Sequence, residues 1–212
     1  MSQDTERLAR SLEGPIVDGL PDYAGIVAAM HLAPGIGQNL SGLANALLVE
    51  DFPGSTLSRG QRELLATAVS AGNDCFFCTD SHAAFAAELL RREVVSGGEA
   101  LVAAVKERAV DRLDPKMSAL AAIALCVREA PRRLERKDVE LAKRHGASDG
   151  DVQLTVLIAA AFCMYNRMVD GLRAKTPFDA AVYRERAGAI ADHGYMAALG
   201  SARRIPQLPD AA

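Results

Sequence analysis

The feature that most constrains this 212-residue chain is a repeated local pattern. Ala- and Leu-rich stretches are each closed by Gly, Pro or a polar turn, and no convincing run of alternating polar and apolar residues appears between them. A half-buried strand needs period two, whereas an amphipathic helix needs apolar residues three and four apart. Ala and Leu also lose little conformational freedom on entering a helix. The pattern predicts an all-α fold, a helical bundle whose apolar stripes bury against each other. Half of the residues are apolar, so a sizeable core can form, and with aromatics at 5% and no Trp its small side chains permit close helix approach.

The punctuation sets the expected elements. Residues 1–20 read as an N-terminal extension with a short amphipathic helix, 21–200 as a single all-helical domain and 201–212 as a flexible tail. One apolar block runs from Asp22 to Leu32, where Pro34-Gly35 breaks it, and another from Gly37 to Val49. Ser58 opens the next helix, with Gln61 completing a capping box, and Gly72-Asn73 stops it. Asn73 or Asp74 is expected to cap a helix over Cys75–Arg92. Later helices are expected over 99–110, over 116–129 behind Asp114-Pro115, over 137–145, over 150–172 behind Ser148 or Asp149, and over 177–192.

Charge excludes some partners. A net charge of −3 gives no overall positive field to displace counterions from a duplex, so nucleic acid is not expected. The Arg132-Arg133-Leu134-Glu135-Arg136-Lys137 run contains an acid and follows a Pro, and reads as a solvated helix start. The N-terminus is polar with no leader-like apolar stretch, and no window approaches the roughly 18 unbroken apolar residues of a membrane span. These readings predict a cytoplasmic protein without a membrane partner. In a reducing compartment, a close Cys pair points to catalysis or metal binding.

The chemistry concentrates in Cys75-Phe76-Phe77-Cys78-Thr79-Asp80-Ser81-His82. Spacings of three and four place Cys75, Cys78 and His82 on one helix face. Helical residues three apart have Cα atoms about 5 Å apart, within disulfide reach. The first helical turn favours negative charge, so a thiolate there should have a pKa below the free value of about 8.5. His82 can accept a proton from Cys78 or steady its thiolate, and Glu63, on the preceding helix of a tight hairpin, can orient His82. Phe76 and Phe77 either line a pocket or fill the core. Cys126 and Cys163 read as core residues, and His31, His145 and His193 stand alone. A metal-binding or redox-sensing module built on Cys75, Cys78 and His82 is the alternative, although a structural zinc site normally brings a second Cys/His pair. No resident cofactor or metal is expected.

The Glu63…Cys75-x-x-Cys78-x-x-x-His82 arrangement, with Arg62-Glu63-Leu64, Asn73 and Tyr165-Asn166-Arg167, resembles alkylhydroperoxidase D and the related carboxymuconolactone decarboxylase superfamily, nearest its peroxidase-related branch. The resemblance covers residues 20 to 175. It implies an all-α homo-oligomer (dimer, trimer or hexamer) and a peroxidase or disulfide-reductase cycle on a small hydroperoxide or a protein disulfide. It implies Cys78 as attacking thiolate, Cys75 as resolving thiol, Glu63 and His82 as proton relay, and a lipoyl or thioredoxin-like dithiol as reductant. This chain departs at Phe77, where the alkylhydroperoxidase D proteins carry a second His. Decarboxylating relatives generally lack the Cys pair, which disfavours that activity. Asn166 and Arg167 are candidates to approach the site from the long helix.

Overall fold

The structure, a computed structural model, describes residues 14–200 and Thr5. The tail from Ser201 and most of the expected N-terminal extension lie outside the described residues. In chain order the helices are α1 (Ile26–Met30), α2 (Pro34–Leu48), α3 (Arg59–Gly72), α4 (Phe76–Arg92), α5 (Gly98–Lys106), α6 (Pro115–Glu129), α7 (Arg136–Arg144), α8 (Asp149–Gly171) and α9 (Ala180–Gly200). The described residues contain no strand, as the absence of alternation predicts.

Helix α3 is the centre. Arg62 through Ala71 are all buried, because α4, α5, α6 and α8 surround it. Its start follows from its sequence: Ser58 Oγ accepts from the Gln61 amide and the Gln61 side chain accepts from the Ser58 amide. Helices α3 and α4 share the most extensive contact among the described helices, and α9 packs on α4 and α2. Helix α8 is long and apolar enough to cross a membrane, but here it packs on α3 and α6 through the fully buried Leu154, Ile158 and Phe162.

Three boundaries differ from expectation for local reasons. Pro34 does not break a helix but begins α2, where its missing N–H costs nothing. Helix α5 stops at Lys106 rather than 110, since Arg108 takes a left-handed φ of 63°. The last helix starts at Ala180 and continues beyond Asp192, bending at Gly194 (φ 71°, ψ −172°). A Cβ there would lie 2.6 Å from Asn45 Oδ1, so the position requires Gly both for its backbone and for its space. Asn45 Oδ1 also accepts from the Tyr195 amide at 3.1 Å, and Arg59 donates to the Ile190 and Ala191 carbonyls at 2.9 Å. The bend is thus bonded on both sides.

One buried acid fixes the far end of the bundle. Asp151, fully buried, accepts from Ser55 Oγ (2.8 Å), Thr56 N (2.6 Å), Thr56 Oγ1 (3.1 Å) and Ser148 N (3.1 Å), and pairs with Lys116 Nζ at 2.7 Å. It thereby ties the α2–α3 loop and the start of α6 to the start of α8. Gly150 permits the approach, because a Cβ there would lie 2.3 Å from the Gly54 carbonyl carbon. Burial alone would raise the Asp151 pKa, but the Lys116 bond and the Ser148, Thr56 and Ser55 donors outweigh it and hold the carboxyl well below the usual range. A depressed folded pKa contributes stability that is complete above the unfolded Asp value of about 3.9 and is lost as pH falls through the folded value. Asp151→Asn is expected to cost about 3 kcal/mol at neutral pH, since it leaves Lys116 without its partner. Urea midpoints measured between neutrality and acid should converge for the two proteins as pH drops, and a constant gap would refute this account.

Candidate active site

The site begins at the turn between α3 and α4. Asn73 is the C-cap of α3, Asp74 follows with φ 58°, and the Cys75 amide returns to Ser70 O at 3.1 Å. The chain therefore reverses within three residues. Asp74 points outward to an ion pair with Arg108 and does not cap α4. Nor does Asn73: the N-cap is Cys75 itself, in extended backbone and without a side-chain cap bond. Asn73 is instead drawn toward the long helix, where its Nδ2 donates to Asn166 Oδ1 at 2.8 Å. Asn166 Nδ2 donates to Ser70 Oγ at 3.1 Å, and Arg128 Nη1 donates to Gly72 O at 2.8 Å. Asn166, fully enclosed, thus buttresses the turn from behind. Arg167 is exposed and donates to Cys163 O on its own helix at 2.8 Å.

Both thiols of the pair are free and buried, Cys75 at the N-cap and Cys78 two residues inside the helix. The first intrahelical bond runs from Thr79 N to Cys75 O at 2.9 Å, so Cys78 lies among the backbone N–H groups that have no partner within the helix. The expectation of a lowered thiol pKa fails for Cys75. A side-chain hydrogen bond with Cys78, and after it burial, push the Cys75 thiol far up. Sequence position alone misses this, because the helix-terminus argument assumes an exposed thiol with no neighbour competing for the proton.

Glu63 and His82 meet. The His82 Nδ1 to Glu63 Oε2 distance is 2.6 Å, with Glu63 1% exposed. A third residue completes the group. Tyr195 Oη donates to Glu63 Oε1 at 2.6 Å and lies 3.4 Å from His82 Nδ1. Burial first, then the negative charge of Glu63, raise the Tyr195 pKa well above its ordinary value, so the phenol stays a donor. Both carboxylate oxygens are thus occupied. Phe162 and Phe85 hold the imidazole edge-on, with ring centroids 4.5 and 5.2 Å away.

Cys78, Ser81, His82 and Tyr195 open onto one cavity of about 50 Å³, walled by Phe77, Phe85, Phe162, Ile190 and Arg186 among others. Phe77 lines it, packing against Tyr183 with centroids 6.0 Å apart and lying 5.9 Å below the Arg186 guanidinium. Phe76 is half-buried and is not part of the wall. Cys126 and Cys163 are half-buried on other helices, and His31 stacks on Tyr23. Tyr195 and Arg186 were not anticipated from sequence. No motif surrounds Tyr195, but Arg186 had a signal: it interrupts the buried stripe Tyr183, Ala187, Ile190 on α9.

The geometry gives no support to the metal alternative. Among the described residues no three His, Cys, Asp or Glu side chains converge to hold an ion. Glu63 turns both oxygens to His82 and Tyr195 instead.

Residues 34–124 match the carboxymuconolactone decarboxylase family, a segment that contains Glu63, Cys75, Cys78 and His82. No curated protein matches the sequence. The fold is similar to that of an uncharacterized peroxidase-related protein from Silicibacter sp. TM1040, with a TM-score of 0.65 and 24% identity over 82% of this chain and 93% of the other. It is also similar to an alkylhydroperoxidase AhpD core protein, an uncharacterized peroxidase-related protein from Ralstonia eutropha JMP134, with a TM-score of 0.64 and 21% identity over 87% of this chain and 94% of the other. At these identities the two structures speak for the fold alone. The family match over α2 to α6 and the likeness of the all-helical fold to these two structures are what the chain shares with the alkylhydroperoxidase D-like, carboxymuconolactone decarboxylase proteins.

Proposed function

We propose that the protein is a dithiol-dependent peroxidase that reduces small hydroperoxides at Cys78. The observation that carries this reading is the buried 2.6 Å Glu63–His82 bond, with His82 and Cys78 opening onto the same cavity and the buried Cys75 thiol three residues before Cys78. Cys78 supplies the nucleophile, and the thiolate is the reactive form. Its sulfur attacks the terminal peroxide oxygen; the S–O bond forms, the O–O bond breaks, and the departing alkoxide takes a proton delivered through His82. Cys78 is then a sulfenic acid. Cys75 attacks the Cys78 sulfur, the disulfide forms and water leaves, carrying the oxygen and the Cys75 proton. An external dithiol, lipoyl or thioredoxin-like, returns two electrons and two protons by exchange. The sum is hydroperoxide plus dithiol giving alcohol, water and disulfide.

Glu63 fixes the imidazole so that Nε2 is the atom left for transfer within the cavity, and Tyr195 fixes Glu63. A protein disulfide is the second substrate class compatible with the same dithiol. A cytoplasmic setting belongs to this reading, since a reducing compartment recharges the pair. So does a homo-oligomer: Leu32, Ile36 and Leu43 on and beside α2 are exposed apolar side chains that a second copy would cover.

Turnover of tert-butyl hydroperoxide with dihydrolipoamide is expected in the purified protein and should vanish in Cys78→Ser; turnover that survives this substitution would overturn the proposal. Glu63→Gln is expected to lower kcat/KM about a hundredfold, the usual scale of general acid–base assistance. Tyr195→Phe leaves a buried carboxylate oxygen without its donor and should lower the unfolding free energy by about 1–3 kcal/mol in chemical denaturation. An unchanged midpoint would show that the phenol does not sit on Glu63.

A further inference from the structure

We infer that the cavity before Cys78 is built for a small apolar molecule bearing a carboxylate, held by Arg186 and Ser81. If the peroxidase reading above holds, on which this second clause rests, its preferred hydroperoxides carry a carboxylate. Two polar groups of the wall point that way. Ser81 is 2% exposed, lines the cavity, and its Oγ is buried without a hydrogen-bond partner. A buried hydroxyl left unpaired costs on the order of 1–3 kcal/mol, so native proteins rarely leave one without a purpose. Arg186 brings the second. Its guanidinium lies over the Phe77 ring at 5.9 Å, and the groups that favour its charge are Tyr195, Tyr183 and Cys78, none of them a carboxylate.

The buried carboxylate of the site cannot serve Arg186, because Glu63 gives one oxygen to His82 and the other to Tyr195. A planar cation in an apolar wall, beside an unpaired hydroxyl, is matched by an incoming carboxylate, which accepts two parallel N–H bonds and a third bond from the serine. The remaining wall (Ile26, Val27, Met30, Phe85, Phe162 and Ile190) takes an apolar body, and a cavity of about 50 Å³ keeps that body short. A neutral hydroperoxide would bring Arg186 no counter-charge. Sites built to bond a polar group discriminate strongly against analogues that lack it. The carboxylate is a handle and is not consumed: bond making and breaking stay at the Cys78 sulfur and the peroxide.

Alkylation of Cys78 tests the site without any peroxide turnover. The rates of iodoacetate and iodoacetamide at Cys78 in the reduced full-length protein are measured by peptide mass spectrometry. Their ratio cancels the thiolate fraction and reports only the preference for a carboxylate. Iodoacetate is expected to outpace iodoacetamide; Arg186→Gln should lower the ratio about tenfold, while Arg186→Lys should retain most of it. Butanoate should protect Cys78 from both reagents, butanamide should not, and Ser81→Ala should weaken the protection by butanoate. Arg186→Gln slowing both reagents equally would show that Arg186 only steadies the thiolate, and equal protection by butanoate and butanamide would show a merely apolar pocket; either overturns the inference. Because the comparison of butanoate with butanamide uses the unaltered protein, it decides even if Arg186→Gln does not fold. Loss of the peroxidase reading would leave these alkylation results standing, and the reverse also holds.

Discussion

A carboxylate buried to 1% exposure in the middle of an apolar bundle is the constraint on which the rest of the site depends. Taking Glu63 out of water is favourable only if both oxygens are bonded and a compensating group stands beside it. His82 on α4 and Tyr195 on α9 meet that demand at 2.6 Å each. Three helices are therefore locked at one point. The packing of α3 on α4 brings Glu63 within reach of an imidazole nineteen positions away. Packing and chemistry share one bond here: whatever loosens the bundle at this point also releases the imidazole.

The turn between α3 and α4 obeys the same economy. Ser70, Asn73 and Asn166 bond to one another behind it, and Arg128 covers the carbonyl of Gly72. With the turn braced, Cys75 is set at the N-cap and Cys78 one turn from His82, so the two sulfurs differ in surroundings although they are only three residues apart. The Cys75 thiol is pushed up by its side-chain interaction with Cys78 and then by burial.

Much of this was legible in the sequence. The Ser58 and Gln61 capping box, the Asp114-Pro115 start of α6 and the Ser148 start of α8 are local signals, and the structure carries all three. The meeting of Glu63 with His82 followed from a hairpin too short to separate them. What sequence misses is set by distant partners. Asn73 looks like an N-cap until Asn166, ninety-three positions on, claims its side chain. Asp151 looks like the third residue of a capping box, which it is, but nothing local shows that Lys116 and Thr56 also converge on it. Tyr195 carries no motif at all; its role depends on the bend at Gly194, itself held by Asn45 from α2.

That bend has a consequence for how such a protein can change over evolutionary time. Residues 34–124 hold Glu63, both thiols and His82, whereas α9 lies wholly beyond them and contributes Arg186, Ile190 and Tyr195 to the same chamber. The residues of the proposed thiol chemistry thus lie in one stretch of the sequence, while part of the chamber's lining comes from a separate one. On the proposed reading, a lineage can alter α9, keep Tyr195 on its anchor and change that part of the wall while Glu63, both thiols and His82 stay as they are. Divergence in α9 would then reshape one side of the chamber without touching the thiols.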